Sequence, residues 1–220
     1  HTIQPPAKHP ILVKIWYDLS LKRILKKINP DIFISPDAIT SLTTDIKMLT
    51  VIHDIGFVHR PNDLPSSWSK FYNKYSKQFA EKSNRLATVS EYSKKDIVNT
   101  YKINPDKIDV VFNGAKDSFH PAESNKIIEL TKNREYFFYI GSLHPRKNIT
   151  NLLKGFNRFK QNNVNEVKLV IGGDFLFQSK DIKSILNELE CKDEIILTGR
   201  LSDEDLNTWL SGAIALTYIP

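Results

Sequence analysis

A single cysteine, Cys191, in 220 residues leaves no partner for an intramolecular disulfide and too few thiolates for a cysteine-based zinc site. A reducing cytoplasm is the expected compartment. Long apolar runs are missing: none approaches the ~20 residues that span a bilayer, and no signal-peptide pattern follows His1. Neither GxGxxG nor GxxxxGK occurs, so the glycine scaffolds of dinucleotide and P-loop nucleotide binding are absent. There is no GxSxG, and six histidines form no HExxH. No repeat with a shared signature and no low-complexity tract is found.

What is there suits a globular chain, 40% apolar and 25% charged, long enough for one large domain or two small ones. The net charge of +6 is unevenly placed: residues 1–120 hold 18 Lys and Arg against 12 Asp and Glu, while residues 121–220 hold 13 of each. A basic first half attracts anionic lipid headgroups, phosphorylated substrates or nucleic acid. Nucleic acid is disfavoured as a partner, because the aromatics of "WSKFYNKYSKQF" recur at helical spacing and so point to a core, with the lysines in solvent.

The hydrophobic periods predict alternating helices and strands. A helix is expected over 11–28, with Leu12, Ile15, Trp16, Leu19, Ile24 and Ile28 on its apolar face. "DIFIS" reads as a short buried strand, and "IKMLTVIHD" and "RLATVS" as further strands. Ser66 or Ser67 is expected to cap the aromatic helix, and Ser90 the helix "EYSKKDIVNTY". "IDVVFNG" reads as a strand closed by an Asn-Gly turn. The pattern weakens between Ala115 and Arg134, which places a boundary between a 1–120 and a 121–220 domain. In the second half, "YFFYIGS", "VKLVIGG", "EIILTG" and "AIALTYI" read as strands. Helices are expected between them, near 149–160, 179–189 and 203–211. Such alternation means βαβ units and parallel sheets covered on both faces.

Ligand sites in such sheets lie beyond the carboxyl ends of the strands. That draws attention to His53-Asp54, Ser90, Asn113-Gly114, Gly141 to Lys147, Gly172-Gly173 and Gly199-Arg200. In "GSLHPRKN", Gly141 allows a tight exit from the strand, and a helix starting near Asn148 aims its positive dipole end at the loop. Arg146 and Lys147 complete a site of diphosphate size. A solvated loop is the alternative for these residues, and a satisfied structural histidine the alternative for His53. "DED" at Asp203–Asp205 reads as the acidic first turn of a helix opened by Ser202, not as a metal site.

In order, "IHDIGF", "RLATVSEYSKKDI", "PDKIDVVFNGAKDSF", "YFFYIGSLHPRKN", "LVIGGDF" and "IILTGRLSDEDL" resemble the running signature of the family 4 GT-B glycosyltransferases. The resemblance covers roughly Val51 to Pro220 and is nearest to the bacterial polysaccharide and lipopolysaccharide transferases with "PRKN" in the donor loop. It implies an α/β fold of two Rossmann-like domains whose parallel sheets face each other across a cleft: an acceptor-side domain over 1–120 and a nucleotide-sugar donor domain over 121–220. It implies transfer of a hexose from a nucleotide-diphosphate sugar to a glycan or lipid-diphosphate-linked acceptor, with retention, no metal and no further cofactor. GDP-mannose leads among donors, with UDP- and dTDP-linked sugars behind it.

Carried over by position, His53 is the active-site histidine near the transferred sugar, and Lys147 meets the donor diphosphate. Arg146 supplies the charge that many relatives place directly after the glycine, where this chain has Ser142. Gly141, Gly172 and Gly173 are approach points for the donor, and Arg200-Leu201 contacts the base. Asp54, Asn113 and Gly114 fall on the acceptor side. The basic half is expected to make peripheral membrane contact at the inner face of the plasma membrane. Both domains are expected to be incomplete here, and the 220 residues to be inactive alone. The fold does not choose the reaction, so a non-catalytic module binding anionic ligands or a membrane surface, and a GT-B sugar-nucleotide epimerase, are the alternatives.

Overall fold

The computed structural model describes residues 9–163, 166–175 and 180–219. They divide into two compact units that meet between Gly114 and Ala115. Each is built on one parallel four-stranded sheet.

In the first unit the strands are β1 (Phe33–Ser35), β2 (Met48–Val51), β3 (Arg85–Thr88) and β4 (Ile108–Val110), in that spatial order. Between β2 and β3 come the short α3 (Gly56–His59) and the 17-residue α4 (Ser66–Lys82). β3 leads through α5 (Glu91–Tyr101) to β4. Ile52, Leu86, Ile97 and Ile108 form one core cluster, and Phe71 and Phe79 of α4 anchor a second. The aromatic stripe is therefore core: Trp68, Tyr72 and Tyr75 pack against Phe71 and Phe79. Ser90 caps α5, accepting from the Ser93 N–H at 3.1 Å. The cap expected for α4 is not there. Ser66 is already the first helical residue and Pro65 precedes it, a residue whose rigid φ suits the approach to a helix but which brings no capping oxygen.

The expected 11–28 helix exists but turns a different face inward. It consists of α1 (Pro10–Ile15) and α2 (Lys22–Ile28), joined by a π turn over Trp16–Leu21. Four residues of α-helix overshoot a full turn by about 40°, and the wider π turn winds that overshoot back. Rows spaced by four therefore stay in line. Val13, Leu21 and Leu25 are buried, with Tyr17 packed in the same cluster as Val13. Ile11, Leu12, Ile15 and Leu19 are 47–55% exposed and Ile28 is exposed too, while Trp16 and Ile24 are half-buried. The turn is fixed by buried Asp18, whose carboxylate pairs with Lys14 and accepts the Leu42 N–H at 2.8 Å. Its backbone carbonyl takes the Thr43 hydroxyl at 2.7 Å. Nor is "DIFIS" a buried strand, since Ile34 is 56% exposed at the edge of the sheet.

The second unit orders its strands β7-β6-β5-β8: β5 (Tyr136–Ile140), β6 (Lys168–Gly172), β7 (Ile195–Gly199) and β8 (Ala215–Leu216). The helices are α6 (Ser124–Thr131), α7 (Ile149–Asn162), α8 (Lys180–Glu188) and α9 (Asp203–Gly212). Ser179, expected in α8, lies outside the described residues. α6 occupies the stretch where the hydrophobic pattern weakens, so the sequence reading missed it. β5 is the continuous apolar run of a strand buried on both faces. Tyr136 and Phe138 pack with Val170 and Trp209 on one side, and Tyr139 packs with Ile149, Leu153 and Ile171 on the other. Ser202 opens α9, accepting the Asp205 N–H at 3.1 Å, so the "DED" run is a helix first turn. The Asn-Gly turn is absent: Val111 to Lys116 are irregular and the turn falls at Asp117-Ser118.

Candidate functional site

The carboxyl edge of the second sheet is stitched together through backbone. The Gly141 N–H donates to the Gly172 carbonyl at 2.9 Å, the Leu143 N–H to the Asp174 carbonyl at 2.9 Å, and the Gly173 N–H to the Gly199 carbonyl at 2.7 Å. Gly173 has φ 127, and an added Cβ would lie 2.1 Å from the Gly141 carbonyl oxygen. Only glycine permits that approach. A Cβ on Gly172 would lie 3.2 Å from the Leu201 side chain. The structure thus brings Gly141, Gly172, Gly173, Gly199 and Leu201 together, with Arg200 exposed on the loop that leaves β7.

Above this edge the chain runs from Gly141 and half-buried Ser142 into a 3₁₀ turn over Pro145–Lys147. Buried His144 opens the turn, its Nδ1 accepting the Arg146 N–H at 3.1 Å. Asn148 then takes the left-handed conformation, φ 56 and ψ 29, and α7 begins at Ile149. The positive end of its dipole lies beside Lys147. Beneath the loop is Tyr139, whose hydroxyl donates to the Ser142 carbonyl at 3.4 Å. Burial pushes this phenol from its ordinary value of 10.0, already protonated at neutral pH, up to about 12.

The Lys147 ammonium donates to the Tyr218 hydroxyl at 2.8 Å and lies 5.2 Å from the centre of that ring. The Asn148 side-chain amide donates to the Ile219 carbonyl at 2.9 Å. Two cations, a helix N-terminus and a backbone-lined edge make a site suited to a small polyanion. Asp174, exposed on the same edge, is an acidic neighbour that the sequence reading passed over. The sequence reading ran the last strand through Ile219, but β8 ends at Leu216, and this shorter strand is what puts Tyr218 beyond a carboxyl end, where the ligand rule applies.

In the first unit, His53 and Asp54 follow β2 directly and both are exposed. The Thr88 hydroxyl donates to the His53 carbonyl at 3.4 Å, tying this loop to β3. The Asp54 carboxylate accepts the Gly56 N–H at 2.8 Å, which folds the entry to α3. Asn113 and Gly114 lie exposed beyond β4, and a Cβ on Gly114 would meet nothing within 4 Å. A His59–Asp96 pair, 2.9 Å apart, joins α3 to α5; nothing in the local sequence marks it. Among the described residues no three His, Cys, Asp or Glu side chains are grouped to hold a metal ion.

Residues 1–119 match the model of Glycosyltransferase Family 4, and residues 122–218 match that of Glycosyl transferases group 1. The chain belongs to the family 4 glycosyltransferases. It is 27% identical over 169 residues to the O-antigen chain mannosyltransferase RfbU of Salmonella typhimurium, covering 76% of this chain and 44% of that protein. Its identity to the O-antigen chain mannosyltransferase B of Escherichia coli is 20% over 177 residues, covering 78% and 46%. The matches thus span less than half the length of these curated relatives.

Among solved structures, HepE of Anabaena in complex with UDP and glucose superposes with a TM-score of 0.70 at 15% identity, covering 89% of this chain and 54% of HepE. WaaG, a glycosyltransferase involved in lipopolysaccharide biosynthesis, gives 0.69 at 12% identity, covering 99% and 60%. These likenesses are of fold, and the fold is that of the GT-B glycosyltransferases.

Proposed function

We propose that the protein carrying this chain is a glycosyltransferase that moves a hexose from a nucleotide-diphosphate sugar to a glycan or lipid-diphosphate-linked acceptor, with retention and without a metal. The observation that carries this reading is the loop from Gly141 to Asn148. It sets Arg146, Lys147 and the start of α7 at one sheet edge, in a chain of this family. Breaking the bond from the sugar's anomeric carbon to the diphosphate oxygen sends an electron pair onto the leaving group. The carbon takes on oxocarbenium character as that happens. Cations and N–H dipoles fixed beforehand stabilise the growing charge more than the ground state, which is the condition for acceleration. The acceptor oxygen bonds the carbon on the face the diphosphate leaves, and the acceptor's proton departs with the nucleotide diphosphate.

His53 takes the sugar contact that the resemblance assigns to it, as a positioning hydrogen-bond partner, and its exposure at the end of β2 supports this. Arg200-Leu201 takes the base. The names of the mannosyltransferase relatives make GDP-mannose the first donor to test, and the UDP held by HepE the second.

Peripheral contact with the cytoplasmic face of a membrane belongs to the same reading. Among the described residues no helix is long and apolar enough to cross a membrane. Yet α1 presents Ile11, Leu12 and Ile15 outward, with Leu19 following in the π turn, and α2 adds exposed Lys22, Arg23, Lys26 and Lys27. Apolar side chains beside a cationic cluster suit an anionic lipid surface.

Thermal-shift titration of the full-length protein with UDP-, GDP- and dTDP-sugars tests the reading. A rise in melting temperature with one of these families, absent with the free sugar, is expected. No response to any nucleotide sugar, with retained binding to anionic vesicles, would favour the non-catalytic binding module.

A further inference from the structure

We infer that Tyr218 is a positioning residue for Lys147, holding its ammonium in place for the diphosphate of the donor. The inference deepens the function proposed above and rests on the reading of Lys147 as a diphosphate contact.

The placement of Tyr218 follows from strand register. β8 pairs with β5 so that Phe138 faces Leu216. The Thr217 N–H and hydroxyl then both reach the Phe138 carbonyl, at 2.7 and 3.0 Å. Thr217 is thereby fixed, and the next side chain stacks on Tyr139, with ring centres 6.4 Å apart and planes 19° from parallel. Tyr139 is fully buried and belongs to the core. Tyr218 therefore has a rigid floor, although about half of its own surface is exposed.

On that floor it meets Lys147 twice, through the hydroxyl at 2.8 Å and through the ring at 5.2 Å from its centre. One residue further along both segments, Asn148 donates to the Ile219 carbonyl. Two successive residues of the loop are thus tied to two successive residues beyond β8, 71 positions away.

A lysine ammonium has three N–H donors. Tyr218 takes one and leaves two for an oxyanion. A free lysine side chain samples many rotamers, and freezing it at the moment of binding weakens affinity. Here the restraint precedes the ligand. The ring adds an attractive face that does not compete for the same N–H.

The test is a double-mutant cycle in the full-length protein, using Tyr218→Phe, Lys147→Ala and the pair, with calorimetric affinities for UDP and GDP and for UMP and GMP. Tyr218→Phe keeps the stacked ring and so leaves folding intact. It is expected to weaken the diphosphate that binds by about 3- to 10-fold and to leave the corresponding monophosphate unchanged. In the Lys147→Ala background the same substitution is expected to have no further effect. If Lys147→Ala weakens the diphosphate while Tyr218→Phe has no effect, acts additively or tightens binding, the inference on Tyr218 is overturned and the role of Lys147 stands. If Lys147→Ala changes nothing, or neither diphosphate binds the unaltered protein, the reading of the loop fails and this inference with it.

Discussion

Gly173→Ala perturbs the sheet edge at its tightest point. The new methyl would sit 2.1 Å from the Gly141 carbonyl oxygen and 2.8 Å from the carbonyl carbon. These are backbone atoms, which cannot rotate away as a side-chain tip would. Relieving the overlap moves the exit of β5 away from β6 and disturbs the bonds from Gly141 to Gly172 and from Leu143 to Asp174. A non-glycine residue at φ 127 adds its own strain. Overpacking and strain together set the expected loss at about 3 kcal/mol of stability in the second unit. Native-state hydrogen exchange of the Tyr139, Val170 and Ile171 amides reads this locally, and a loss of that size accelerates exchange by about 100-fold. Gly114→Ala, whose methyl would meet open space, is the control and should stay within about 0.5 kcal/mol of the unaltered protein. Refutation would be a Gly173→Ala variant within about 1 kcal/mol of the parent that binds nucleotide diphosphates as the parent does.

Arg146→Ala should weaken donor affinity alongside Lys147→Ala; donor affinity unchanged in the first and lowered in the second, by calorimetry, removes Arg146 from the site. Lys147→Ala should lower kcat/KM in the full-length enzyme by about 100-fold, the usual effect of removing one oxyanion donor. Replacing both Ile15 and Leu19 by Asp should reduce sedimentation with vesicles containing anionic lipid and leave nucleotide binding intact; unaltered sedimentation would remove that face from the membrane contact. A bond from Lys168 holds the Glu194 carboxyl below its ordinary value of 4.5. Stability from this pair is therefore complete above 4.5 and lost as pH falls through the lower native value. Glu194→Gln should flatten the acid limb of urea midpoints for the second unit, and an identical acid limb would show the pair contributes nothing.

Much of this was legible where a pattern is local. The two halves and the βα alternation follow from apolar blocks separated by turn residues. The caps at Ser90 and Ser202 follow from a hydroxyl placed before a periodic segment. The carboxyl-edge rule gathered Gly141, Gly172, Gly173 and Gly199, whose backbone contacts the fold displays; Leu201 came only from the family resemblance. The inner face of 10–28 was misread because an α-helical wheel assumes a constant twist, and the π turn at Trp16–Leu21 breaks it. Buried Asp18, which looks like a surface residue by composition, holds that turn. The helix Ser124–Thr131 was missed because eight residues carry too few periodic positions to stand out. Tyr218 escaped notice because "AIALTYI" reads as strand through Ile219, whereas β8 ends at Leu216, and because its partner, 71 residues away, is brought to it by the register of β8 on β5.

The most direct test of the central claim, that the loop after β5 receives the donor diphosphate, is backbone amide NMR during titration with UDP and with GDP. The account predicts shifts for at least one of them concentrated at Gly141, Lys147 to Thr150, Gly173 and Tyr218. Binding of both nucleotides with those amides undisturbed, and shifts confined to other surfaces, would contradict it.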